Sequence, residues 1–220
     1  MTCSLDLTSD ILKQQGHNER LSCVAYSPEG QYIASGGQDG KLKIWNSQTG
    51  FCFVTLTDHE GPITGIQFSA RNQVLYTSSL DGTVRAFDLI RYRNFKTFTA
   101  PNSVQFSCVS VDPSGEVIAA GTTSDFSIYI WSIQTGQLLD VMDGHEGPVT
   151  SLQFSPQSAQ LASASWDGTV KVWNIYSGTK QLPETLRHPS DLTAVAYRPD
   201  GKELCVACLD GTLTFWDPTE

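Results

Sequence analysis

Trp45, Phe87, Trp131, Trp173 and Trp216 lie 42, 44, 42 and 43 residues apart, and that spacing constrains the chain more than any other feature. Six residues before each stands an aspartate: Asp39, Asp81, Asp125, Asp167 and Asp210. Twenty-eight residues before four of them stands a histidine: His17, His59, His145 and His188. Three registers that coincide at one period mark an array of a single structural unit, in which each unit covers its neighbour's apolar face.

The most complete copy runs over residues 144–174, GHEGPVTSLQFSPQSAQLASASWDGTVKVWN. Its apolar pattern has period two: Val149, Ser151 and Gln153 alternate with Thr150, Leu152 and Phe154, which predicts short strands. Ser155-Pro156-Gln157-Ser158 breaks the first run, and Asp167-Gly168 is a strong two-residue hairpin signal. The unit therefore reads as antiparallel strands over 149–154, 160–165 and 170–174, with a fourth over 180–186. Pro183 inside that fourth strand suits only an outer edge.

First strands of the same pattern recur at Leu21–Tyr26, Ile63–Phe68, Phe106–Val111 and Leu192–Tyr197. Pro28-Glu29-Gly30, Pro113-Ser114-Gly115 and Pro199-Asp200-Gly201 supply turns after three of them. The third repeat departs from the others, with Asn102 for histidine, one residue inserted near 122–124 and Asp125-Phe126 for Asp-Gly. No helical period and no low-complexity linker interrupts the array, so a single all-β domain is expected, with repeats at about 16–57, 58–99, 100–143, 144–186 and 187–217.

Composition narrows the function classes. The net charge of −9 repels phosphate backbones and argues against dedicated nucleic-acid binding. No run approaches the roughly 20 apolar residues of a membrane span, and the first residues, MTCSLDLTSDILKQQG, lack the basic start and apolar core of a secretory signal. Cys23 and Cys108 occupy equivalent first-strand positions, where they read as small buried apolar residues. Cys205 and Cys208 form a lone C-x-x-C on a strand, with no second pair to complete a zinc site, so no metal, cofactor or disulfide framework is expected, and the setting reads as reducing and intracellular.

The spacing, the turn aspartates and the terminal Trp-Asn or Trp-Asp words resemble the WD-repeat family, from about residue 14 to residue 217. That resemblance implies a β-propeller of five four-stranded blades, either a small closed ring or part of a larger one. It also implies a buried tetrad of histidine, serine or threonine, aspartate and tryptophan. The complete sets are His17, Ser35, Asp39, Trp45 and His145, Ser163, Asp167, Trp173. Partial sets are His59, Thr77, Asp81, where Phe87 lacks an N–H, and His188, Asp210, Trp216, where Val206 lacks a hydroxyl.

Histidine, serine and aspartate are also the residue types of a hydrolase triad. Two copies at identical spacing, with no G-x-S-x-G turn at either serine, favour the structural role, so no catalytic residue and no enzyme activity is expected. The words FCFVTLTDH, DGTVRAFDLIRYRNFKTFTAP and WSIQTGQLLDV are not generic to such repeats and are similar to a nucleolar, ribosome-assembling branch of the family. The resemblance implies a scaffold in the nucleus and nucleolus, supporting precursor ribosomal RNA processing among other WD-repeat and processome proteins, without membrane or small-molecule substrate. The alternative is a general WD-repeat adaptor or substrate receptor in another complex, including a cytoplasmic one.

Two surface sites are legible. Leu80, Trp166 and Leu209 precede turn aspartates, where exposure ordinarily selects polar residues, and they form the candidate partner-binding patch. Arg91, Arg93 and Lys96 interleave with Tyr92 and Phe95, as a weak RNA-contact surface does; the competing reading is an outer edge strand guarded by charge. The segment 10–15 is positioned to complete the last blade as a clasp between the two ends.

Overall fold

The structure is a computed structural model describing residues 16–70, 73–157, 159–176 and 182–217. The described residues contain strands and turns and no helix. Blade one is an antiparallel sheet of β1 (Leu21–Tyr26), β2 (Tyr32–Gly37), β3 (Leu42–Asn46) and β4 (Cys52–Leu56) in sequence order. Blade two repeats it with β5 (Ile63–Phe68), β6 (Val74–Ser79), β7 (Thr83–Asp88) and β8 (Arg93–Thr99). Blade three has β9 (Phe106–Val111), β10 (Val117–Thr122), β11 (Ile128–Ser132) and β12 (Leu138–Met142), and blade four β13 (Val149–Phe154), β14 (Gln160–Ser165), β15 (Thr169–Asn174) and β16 (Glu184–Arg187). The fifth sheet has three strands among the described residues: β17 (Leu192–Tyr197), β18 (Leu204–Cys208) and β19 (Leu213–Trp216).

The first strands run over the residues that the alternation marks. Of the outer strand of blade four, expected over 180–186, residues 180–181 lie outside the described residues, and the described part runs from Glu184 to Arg187. Pro183 has no N–H to give to β15, so pairing starts only after it. The proposed clasp at 10–15 lies outside the described residues.

The core is divided among the joints between blades. Ala34, Leu42 and Ile44 pack with Ile63, Leu75 and Phe87 across the first joint. Across the second, Val84, Ala86 and Phe98 meet Phe106, Ile118 and Trp131. Hydroxyls staple the later joints. Thr64 Oγ1 donates to the Phe106 carbonyl at 2.8 Å, Ser107 Oγ to that of Val149, and Thr150 Oγ1 to that of Leu192 at 2.9 Å. Gln67 and Gln153 reach across in the same way, their Oε1 atoms accepting from Val111 N at 2.8 Å and Tyr197 N at 2.6 Å.

The arrangement is an open arc of a larger ring. Ile63, Phe106, Val149 and Leu192 open their first strands fully buried, whereas the equivalent Leu21 is 61% exposed. At the far end, Leu213 and Phe215 are 60% and 66% exposed, where Val170 and Val172 of blade four are buried.

Candidate functional site

Blades one and four hold the same hydrogen-bonded chain beneath their upper turns. In blade four the Trp173 indole N–H donates to Ser163 Oγ at 2.8 Å, and Ser163 Oγ lies 2.7 Å from His145 Nε2. His145 Nδ1 is 2.8 Å from Asp167 Oδ2. In blade one Trp45 donates to Ser35 Oγ at 2.8 Å, which lies 2.8 Å from His17 Nε2, while His17 Nδ1 is 2.9 Å from Asp39 Oδ1. A neutral imidazole satisfies every partner: it donates from Nδ1 and accepts at Nε2. The turns are held by the same carboxylates, which accept the backbone N–H of Asn18 and Lys41 in blade one and of Glu146 and Thr169 in blade four.

Blade two keeps all but the indole. His59 Nε2 meets Thr77 Oγ1 at 2.7 Å and its Nδ1 meets Asp81 Oδ2 at 2.8 Å, with the ring tilted against buried Phe87. One further member has no counterpart in the tetrad expected from the spacing. Thr83 and Thr169 each donate a hydroxyl to the turn aspartate, at 2.7 and 2.6 Å. The Asp-Gly-Thr spelling of repeats two, four and five carries that signal.

The set containing His188, Asp210 and Trp216 is built differently from the expectation. Asp210 does not reach His188; it holds Thr212 through backbone N–H and hydroxyl, at 2.9 and 2.7 Å. In blades one, two and four the residue after the histidine donates its N–H to the aspartate, and here that residue is Pro189, which has none. With Val206 offering no hydroxyl, His188 Nε2 meets Thr214 Oγ1 at 2.8 Å and Trp216 Nε1 donates to His188 Nε2 at 3.2 Å. Among the described residues, His188 Nδ1 is buried without a hydrogen-bond partner.

Blade three has a substitute. Strand pairing sets Ala120 opposite Tyr129, as Ser163 faces Lys171, so the hydroxyl position is empty. Trp131 Nε1 turns to the Thr99 carbonyl at 3.2 Å. Asp125 accepts from the Tyr129 hydroxyl at 2.7 Å and from Thr122 Oγ1.

The electrostatics are those of buried hydrogen bonding. Burial alone would raise the Asp81 carboxyl, but the bonds from His59 and Thr83 outweigh it and hold it well below the usual carboxylate range. Asp39 and Asp167 are likewise held down against burial by their donors. Burial lowers His145 and His188, in His145 against the pull of Asp167. A histidine kept neutral by the fold takes up a proton on unfolding, so its contribution is full above the ordinary histidine range and lost as pH falls through it. The carboxylates contribute above their ordinary range and lose that contribution as pH falls below it. Unfolding midpoints from pH 8 to 3 are therefore expected to hold level to about pH 7, decline near 6.5 and drop steeply below about 4. A midpoint that rises on acidification through pH 6 would contradict this network.

Nothing in these chains is presented to a substrate. Ser163 is fully buried and Ser35 nearly so. Burial pushes the Cys23 and Cys108 thiols up to about 12 and about 11, so neither is a ready nucleophile. Cys205 and Cys208 alternate in burial along β18 and point to opposite faces.

The surface candidates separate. Trp166 is 53% and Leu209 66% exposed, on the upper turns of adjacent blades four and five. Leu80 is half-buried and stands apart on blade two, with blade three and its exposed Ser124 between, so the three do not make one continuous patch. Of the basic set, Lys96 is committed: its ammonium donates to the carbonyls of Ile133 and Gln134 at 2.9 and 2.7 Å, tying β8 to blade three. Arg91 and Arg93 are exposed beside the start of β8.

Comparison with known proteins gives these features relatives. A family model described as the IFT122 first beta-propeller matches residues 8–220. The periodic tryptophan protein 2 homolog of Mus musculus is 58% identical over 183 residues, covering 83% of this chain and 20% of the relative. The homolog from Dictyostelium discoideum is 53% identical over 184 residues, with coverage of 83% and 20%. Pre-mRNA-processing factor 19 of Oryza sativa subsp. japonica is 30% identical over 165 residues, covering 73% of this chain and 31% of the relative. The chain thus spans about 20% of the length of these periodic tryptophan protein 2 relatives.

Proposed function

This chain belongs to the WD-repeat β-propeller family matched by the IFT122 first-propeller model, and from that membership we propose that it is a non-enzymatic scaffold of ribosome biogenesis. In this reading it works within the small-subunit processome, in the nucleolus, beside other WD-repeat proteins, and supports precursor ribosomal RNA processing. The observation that carries the reading is identity of 50% or more to periodic tryptophan protein 2 from organisms as distant as Mus musculus and Arabidopsis thaliana. Resemblance on the rigid blade elements alone would support only a general propeller. Here the likeness, at 50% and 58% identity, spans 83% of the chain.

The tetrads serve this function indirectly, by fixing the turns that carry the surface. Partner contact falls to exposed side chains, and Trp166 with Leu209 is the leading site on the upper rim. Aromatic side chains exposed on a rigid turn are enriched among interface hot spots. RNA contact, through Arg91 and Arg93, is secondary in so acidic a chain.

Affinity purification of the tagged, full-length protein from growing cells tests both parts. Ribosome-assembly proteins and precursor ribosomal RNA are expected to co-purify; a ubiquitin-ligase or trafficking complex in their place would overturn the assignment. Trp166→Ala is expected to lose one co-purifying protein about tenfold or more while melting like the parent. Full recovery of every partner would remove Trp166 from the binding surface.

A further inference from the structure

The turn joining the third and fourth strands of blade two differs from its sisters. The fifth residue after the repeating aromatic position is Gly50, Gly136 and Gly178 in repeats one, three and four, and Tyr92 in repeat two. Gly50 and Gly136 have φ of 70° and 78°, and Tyr92 adopts the same left-handed conformation at φ 51°. A side chain with a Cβ is disfavoured there, a strain that glycine avoids. The fold alone therefore selects glycine, and an observed outlier of this kind points to function.

The tyrosine yields surface. Its ring packs edge-on against Phe53 of blade one, with centroids 5.8 Å apart, yet Tyr92 and Phe53 remain 40% and 42% exposed. Beside it opens a groove of about 230 Å3, lined among others by Ile90, Arg91, Arg93 and Phe95. Ile90 is 70% and Phe95 46% exposed, so the groove is apolar at its walls and basic at its rim. Asp88 also lines it; its Oδ1 accepts the backbone N–H of Ile90 and Arg91 at 2.8 and 3.1 Å and its Oδ2 pairs with Arg91 Nη1 at 3.5 Å, which leaves the rim a net positive charge of one from the two arginines and this carboxylate. Arg93 makes no ion pair among the described residues.

One backbone donor of β8 is already satisfied by a side chain. Asn94 Oδ1 accepts the backbone N–H of Lys96 at 3.0 Å, and Asn94 Nδ2 donates to Thr97 at 3.1 Å.

The geometry points to a docking groove on the outer side of blade two, walled by Ile90 and Phe95, rimmed by Arg91 and Arg93 and flanked by the exposed Tyr92 ring, for an acidic protein segment with an apolar anchor. Charge complementarity selects the partner. The chain carries −9 overall, and this turn places two arginines within three residues beside exposed apolar walls. A protein segment is favoured over RNA because the groove offers an apolar wall to an anchoring side chain, and a short acidic segment need meet only the local arginines, whereas a phosphate chain would continue across a protein of net charge −9.

The test uses the full chain and a fluorescein-labelled peptide in which phenylalanines alternate with glutamates. A lysine-for-glutamate version and a uridine oligonucleotide of equal length serve as competitors. Saturable binding of the acidic peptide is expected, about tenfold weaker in Arg91→Glu/Arg93→Glu and in Tyr92→Gly. Tyr92→Gly is expected to melt at or above the parent, because it relieves the left-handed strain, so its loss of binding is not a loss of fold. Absence of binding, binding indifferent to both variants, or preference for the lysine peptide or the oligonucleotide would each overturn the proposal.

Discussion

Replacing Trp131 with alanine is expected to lower the stability of the chain by about 3–5 kcal/mol, the largest effect of any single substitution considered for this arc. Trp131 is 1% exposed and stands at the centre of blade three's joint with blade two. Phe98, Phe106 and Tyr129 surround it with ring centroids 6.0, 5.6 and 5.9 Å away. Blade three lacks the serine and histidine of its sisters, so aromatic packing does there what a hydrogen-bonded chain does elsewhere. Trp131→Phe separates the two contributions. It retains most of the packing but loses the bond to the Thr99 carbonyl, for an expected loss of about 1–3 kcal/mol. Denaturant melts of both variants check this; equal losses would mean that the indole hydrogen bond, not the packing of the rings, holds the joint.

Asp167→Ala and Asp39→Ala are expected to cost about 1–3 kcal/mol each, and Asp210→Ala a small fraction of that. Asp167 is the acceptor for His145, Glu146 and Thr169, so its removal leaves a buried imidazole N–H and a turn N–H without partners. Asp39 holds His17, Asn18 and Lys41 in the same way. Asp210 is exposed and serves only Thr212 within its own turn, where water can replace it. Asp125→Ala is expected to fall between them, because the buried Tyr129 hydroxyl loses its acceptor while no histidine does. Unfolding midpoints in denaturant measure the series. Equal costs at Asp167 and Asp210 would show that the histidine chain contributes nothing to stability.

Much of this fold is legible in the sequence because β-sheet alternation and turn chemistry are local. Leu21–Tyr26 and its four counterparts are marked by their alternation, and all but Ile63–Phe68 also by the proline-containing turns after them. The tetrads of blades one and four are legible because all four members recur at fixed spacing. Blade three is not, because its inserted residue shifts the register. Counting back from Trp131 lands on Gly121, whereas the strand pairing puts Ala120 in the serine's place. Tyr129, the substitute partner of Asp125, lies only four residues away, but at a position where the sister repeats carry Lys43, Arg85, Lys171 and Thr214, so the repeat pattern does not announce it. The His188–Asp210 pairing fails for a reason the sequence does contain, since Pro189 removes the N–H that anchors the aspartate elsewhere. Lys96 looks like free charge because its two carbonyl partners lie 37 and 38 residues away, in the next blade.

The open ends give the arc a polarity. Every internal joint is made by the first-strand side of one blade, with residues such as Ile63, and the opposite side of its neighbour, with residues such as Ile44. At one terminus the chain displays Leu21, Val24 and Tyr26, and at the other Leu213 and Phe215, so it carries the two unlike halves of a joint. Such halves complement each other between copies, but neither complements itself. The arc is therefore directional, one exposed side matching the first-strand face of a blade and the other the opposite face.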